Sequence, residues 1–91
     1  MIIDGKEIHL KVTPRAIEKI ESMSDIDILQ LLRDVGEREP RASDYYKIIY
    51  AGYIGATGEN IEYDDFLRKI EDIDLPEITK TGVELLLKRK N

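Results

Sequence analysis

Between Tyr45 and Ile54 the chain carries a single charged residue, Lys47. At 3.6 residues per turn, Tyr46, Tyr50 and Tyr53 share one face, spaced i, i+4, i+7. Ile48, Ile49 and Ile54 widen the apolar surface until it runs nearly all round the segment. A helix of this kind belongs at the centre of a core. It can also leave one tyrosine edge open as an anchor for another protein, because tyrosine joins a large apolar ring to a polar tip. The two readings are compatible. The spacing predicts a helix over 44–54, capped by Ser43 and closed by Gly55.

The covering for such a helix must come from a chain of 91 residues. A chain this short buries roughly 60–65% of its unfolded surface and forms one domain, with a modest core. The remaining elements read accordingly. Asp4-Gly5 is the two-residue signal of a type I′ hairpin turn, which needs positive φ at both positions. Beyond it Ile8, Leu10 and Val12 alternate with Glu7, His9 and Lys11, the period of a half-buried strand. A lone hairpin is marginal in water, so its apolar face must lie on helices. Thr13-Pro14 starts the first of these, over 14–22, with Ile17 and Ile20 inward. Ser24 caps a second, over 25–35, with a broad stripe of Ile28, Leu29, Leu31, Leu32 and Val35. A fourth spans 62–72, with Phe66, Leu67 and Ile70. A fifth, over 75–89, starts at Leu75-Pro76 and holds Ile78, Val83, Leu86 and Leu87. Gly82 inside it marks a kink or a close helix crossing. The expected fold is α+β, mainly α-helical with four to five helices and an N-terminal β-hairpin. One domain covers 1–91, with the hairpin over 1–12 and the helical part over 13–91.

Catalytic chemistry finds little to work with. There is no cysteine and one histidine, His9, on the polar side of the strand, so thiolate, zinc and triad chemistry lack their partners. The acidic groups Glu62, Asp64, Asp65 and Glu71, Asp72, Asp74 do not match a calcium loop. They sit where carboxylates favour helix N-termini. Gly52, Gly55 and Gly58 lack the lysine–serine or lysine–threonine pair of a phosphate loop and read as a helix end and a turn. No catalytic, cofactor-binding or metal-binding residue is expected. The net charge of −5 is spread evenly along the chain, which disfavours general nucleic-acid binding. Lys88, Arg89 and Lys90 form a basic end suited to the last turn of a helix. No apolar run approaches the ~20 residues of a membrane span, and the first residues do not resemble a signal peptide, so a cytoplasmic location is expected.

Leu85, Leu86 and Leu87 are consecutive, and on a helix they point about 100° apart. A core of this size is not expected to cover all three. With Tyr46, Tyr50 and Tyr53 they are the candidate partner-binding residues, and they point to self-association through the C-terminal helix, with Gly82 allowing a close crossing.

The whole pattern resembles the tail assembly chaperones of long-tailed bacteriophages and prophages, especially those of Gram-positive hosts. The run Ile3-Asp4-Gly5-Lys6-Glu7-Ile8, leading through Leu10-Lys11-Val12-Thr13 into Arg15-Ala16-Ile17-Glu18-Lys19-Ile20-Glu21, resembles that family's hairpin and first helix. Ile28-Leu29-Gln30-Leu31-Leu32, Ile48-Ile49-Tyr50-Ala51-Gly52-Tyr53 and Ile61-Glu62-Tyr63-Asp64-Asp65-Phe66 resemble its later helices, in the same order. The loop from Gly55 to Asn60 and the residue Glu62 depart from the family's usual pattern. The resemblance implies a non-catalytic protein that binds the tape measure protein, keeps it soluble and recruits tail tube protein. Such a protein acts in the host cytoplasm and is absent from the mature virion. The alternative is a small phage-encoded regulatory or inhibitor protein with helix-turn-helix-like helices. Against that, the second helix offers only Arg33 for phosphate or base contacts, among Asp25, Asp27 and Asp34.

Overall fold

The computed structural model describes residues 1–88. Its elements are β1 (Ile2–Ile3), β2 (Lys6–Glu7), α1 (Pro14–Met23), α2 (Ile28–Asp34), α3 (Ala42–Thr57), α4 (Tyr63–Lys69) and α5 (Leu75–Lys88). The fold is the expected one: an antiparallel N-terminal hairpin followed by five helices. Arg89 and Lys90 of the basic end lie outside the described residues, as does the last position of the expected fifth helix.

The hairpin turns at Asp4 (φ 54°) and Gly5 (φ 77°), the two positive values a type I′ turn requires. Ile2 pairs with Glu7 and Ile3 with Lys6. The Ile8 N–H donates to the Met1 carbonyl at 2.8 Å, but the ladder goes no further. Residues 8–13 instead form an extended strap over the helices. Leu10 is buried, Ile8 and Val12 are half-buried, and Glu7, His9 and Lys11 face out, so the alternation holds after the strand has ended. At the hairpin tip, Asp4 Oδ2 accepts from Lys69 Nζ at 2.7 Å, tying the turn to α4.

Helix starts follow local chemistry. Thr13 Oγ1 accepts the Ala16 N–H at 3.1 Å, with Pro14 in the first turn of α1. Ser24 does not cap α2. It ends α1, donating to the Ile20 carbonyl at 2.8 Å and accepting the Ile26 N–H at 3.1 Å. The α2 cap is Asp27, which accepts the Gln30 N–H at 2.9 Å, so the helix starts three residues later than expected. Helix α3 starts earlier than expected and runs longer. Its N-terminal backbone donor, the Arg41 N–H, is satisfied by Asp44 at 2.7 Å, and its left-handed terminator is Gly58 (φ 74°). At α5, Asp74 Oδ1 accepts the Glu77 N–H at 3.0 Å.

Helix α3 is the axis of the molecule. From Ile48 to Ile54 every residue is buried, and α5, α1, α2 and α4 all pack on it, α5 most extensively. The strap closes a further side. The Lys11 N–H donates to the Gly52 carbonyl at 3.0 Å. A Cβ at Gly52 would lie 3.0 Å from Leu10 Cβ, and a Cβ at Gly55 would collide with the Lys11 carbonyl. Gly55 is therefore not a helix end. With Gly52 it forms a notch that lets an extended chain cross the helix at backbone distance. Gly55→Ala gains about 1 kcal/mol of helix propensity but forces the strap off α3. We expect a net loss of about 2 kcal/mol or more, read as a lower urea midpoint with an unchanged slope.

Candidate functional site

Tyr50 and Tyr53 do not form an exposed anchor, because α4 closes over them. The Tyr50 ring is fully buried, 5.4 Å from Phe66 and 5.3 Å from Tyr63, and the Tyr53 ring lies 5.1 Å from Phe66. The Tyr50 hydroxyl donates to the Ile61 carbonyl at 2.6 Å, fixing the loop that leads into α4. Burial raises both phenols above their ordinary range, and it pushes neighbouring Tyr63 up to about 12. All three are neutral packing groups at any physiological pH. Tyr46 alone of the expected face is half-buried.

The three C-terminal leucines divide as helical geometry demands. Leu85 is in the core, against Gly52. Leu86 is half-buried, and Leu87 is 56% exposed. Leu85 therefore cannot take part in self-association without unfolding α5. Gly82 is also turned inward: a Cβ there would collide with the Tyr45 ring. The crossing it permits is between α5 and α3 of the same chain.

Tyr45 then becomes the floor of an open groove that no single stretch of sequence reveals. Leu32 of α2 and Val35, which caps that helix, form one wall, with Val83, Leu86 and Leu87 of α5 opposite. Gly36 and Pro40 of the α2–α3 loop close one end of a volume of about 390 Å³. None of these side chains carries charge, in a chain that is 36% charged. Leu29, one turn before Leu32 and 45% exposed, continues the apolar strip along α2. The signal available beforehand was Gly82: an interior glycine opposite a tyrosine-rich helix marks where a ring lies against backbone.

The end wall is held by the one buried charged side chain among the described residues, Asp44. Arg38 reaches from the loop and donates to both its carboxylate oxygens, at 2.7 and 3.2 Å, while the Arg41 N–H supplies a third bond. The Arg38 hydrogen bonds, helped by that N–H and opposed by burial, hold the Asp44 carboxyl below the usual carboxylate range. Asp44 and Arg38 thus fix the segment that carries Pro40.

The other residues weighed for chemistry lie outside the groove. Among the described residues no three His, Asp or Glu side chains converge to hold a metal ion, and no helix is long and apolar enough to cross a membrane. Asp64 and Asp65 lie in the first turn of α4, and Asp74 caps α5. His9 is exposed on the strap. What the groove can do is receive apolar side chains, each worth about 1.5–3 kcal/mol when fully buried. No protein-family model matches the chain, and neither a curated protein nor a solved structure matches it.

Two expectations follow. Tyr50→Phe leaves the Ile61 carbonyl without its donor and costs about 1–2 kcal/mol, whereas Tyr50→Ala also empties the core and costs about 3–5 kcal/mol. Both are read from urea midpoints. For Asp44 the folded value lies below the unfolded one, so its contribution is present above about pH 4 and is lost as pH falls through the folded value. Asp44→Asn should lower the urea midpoint at pH 7, and its deficit against wild type should shrink at pH 2.5.

Proposed function

We propose that this chain is a tail assembly chaperone of a long-tailed bacteriophage or prophage, a non-catalytic protein that holds the tape measure protein and brings tail tube protein to it. The observation that carries the reading is the uncharged groove between α2 and α5, bordered by exposed Leu29, Val83 and Leu87. Two helical walls and an aromatic floor suit the apolar face of a client helix, in the helix-in-groove mode. The reading also rests on the sequence resemblance, whose matched segments fall in the hairpin and first four helices of this chain. On this reading the protein works in the host cytoplasm and leaves before the virion is complete. A regulatory role through helix-turn-helix contacts has less to support it. Helix α2 is seven residues long with Arg33 as its only cation, its Ile28 and Leu31 are buried in the core, and its Leu32 lines the groove.

Co-expression with the tape measure protein from the same genome tests the proposal. The two should co-purify, and Leu32→Glu, which puts a charge in the groove wall, should reduce the yield of complex at least about tenfold while the circular dichroism melt persists. A tape measure protein that never co-purifies with the wild-type chain would refute the assignment. Retention by Leu32→Glu as strong as by wild type would remove the groove from it.

A further inference from the structure

The exposed ridge of α5 has an order of charges that matches itself in reverse. Val83 and Leu87 lie one turn apart and are both exposed. Lys80 and Glu84 lie along the side of that ridge away from the groove, also one turn apart and exposed. Neither takes part in an ion pair among the described residues. In an antiparallel helix pair each rim faces the same rim of the other helix, running backwards. A two-fold axis beside Val83 sets Val83 against Val83 of the second copy. It lays Leu87 over Thr79 and the stem of Lys80 of that copy. Lys80 then faces Glu84 of the second copy with about 3 Å of axial offset, and the symmetry repeats the pair. Parallel packing would instead set like charges level with each other.

We propose that two copies of this chain associate antiparallel through α5, with Val83 and Leu87 at the centre and Lys80–Glu84 pairs along the edge. The contact is small and its rim pairs are solvent-exposed, so the association is weak and reversible. It covers the α5 side of the groove, so the pair and a client complex are alternative states, and the free protein hides the apolar ridge that a client would take. The pairing does not depend on the identity of the client and is tested with the protein alone.

Sedimentation equilibrium from about 10 µM to 1 mM reads the association expected of a small interface. Wild type should move from monomer to dimer across that range, and Val83→Glu should stay monomeric. Lys80→Glu alone turns both edge pairs into acid–acid contacts, and Glu84→Lys alone turns both into base–base contacts. Each should weaken association about tenfold. The double variant Lys80→Glu/Glu84→Lys restores the pairs in reverse and should recover wild-type association. Mixing the two single variants should give a heterodimer tighter than either homodimer. All three positions are exposed, and thermal melts confirm that each variant is folded. A wild type monomeric at 1 mM overturns the proposal, as does a dimer indifferent to Val83→Glu. Single charge reversals without effect, or a double variant as weak as the singles, overturn the antiparallel arrangement. Leu32→Glu lies on α2, on the opposite wall of the groove from the ridge, and should dimerise normally, which separates this outcome from a failure of client binding.

Discussion

A helix that is apolar on every side has to be covered on every side, and the rest of the chain is arranged around that requirement. Helix α3 receives α1, α2, α4 and α5. Four helices do not enclose a fifth without a seam, and here the seam is filled by an extended strap rather than another helix. The strap fits because Gly52 and Gly55 remove the side chains that would hold it off, and because the Gly52 carbonyl accepts the Lys11 N–H at 3.0 Å. An apolar strap would leave its own backbone groups buried and unsatisfied. This one meets a carbonyl of the helix it crosses, which is how an irregular segment is tolerated over a core.

The elements that sequence reasoning placed well are those whose cause is local. The Asp4-Gly5 turn, the Thr13 cap with Pro14, and the start of α5 after Asp74 each depend on neighbours within four residues. The errors lie where a residue type supports two local roles and tertiary packing decides between them. Ser24 and Asp27 are both good caps. The choice of Asp27 leaves Ser24 to finish α1 through the Ile20 carbonyl. Gly55 and Gly58 are both plausible helix ends. Gly58 takes the left-handed conformation, while Gly55 is kept for the strap, a contact with a segment more than forty residues earlier in the chain. Ser43 looked like the cap of α3, yet Asp44 satisfies the Arg41 N–H because Arg38 holds its carboxylate in place.

The candidate site was legible only in outline. The tyrosine-rich helix and the leucine triplet were the right elements, but the sequence pattern ranks faces only by their own composition. It does not say which neighbour covers them. Phe66 and Tyr63 take the face bearing Tyr50 and Tyr53. That leaves Tyr45, on the opposite flank, to meet Gly82. Leu85 faces Gly52 by the same logic, so the two helical glycines Gly52 and Gly82 each mark where a bulky side chain of the other helix enters. Read as a pair across α3 and α5, they describe the crossing better than either describes its own helix.

The groove is a consequence of that crossing. The Tyr45 ring occupies the space between α2 and α5 at the level of Gly82, so the two outer helices meet the ring before they meet each other. Their outward apolar residues, Leu32 and Val35 on one side and Val83, Leu86 and Leu87 on the other, are left facing across a gap. A smaller residue at position 45 would let α5 approach α2 and close it, at the cost of a cavity against α3. Helix α2 does not swing in on its own, because Asp44 and Arg38 fix the loop that follows it. The opening is therefore built from two rigid decisions, a large ring set against a glycine and a buried carboxylate holding a turn. A receptor for apolar side chains needs that rigidity, because a groove that collapsed when empty would spend binding energy on reopening.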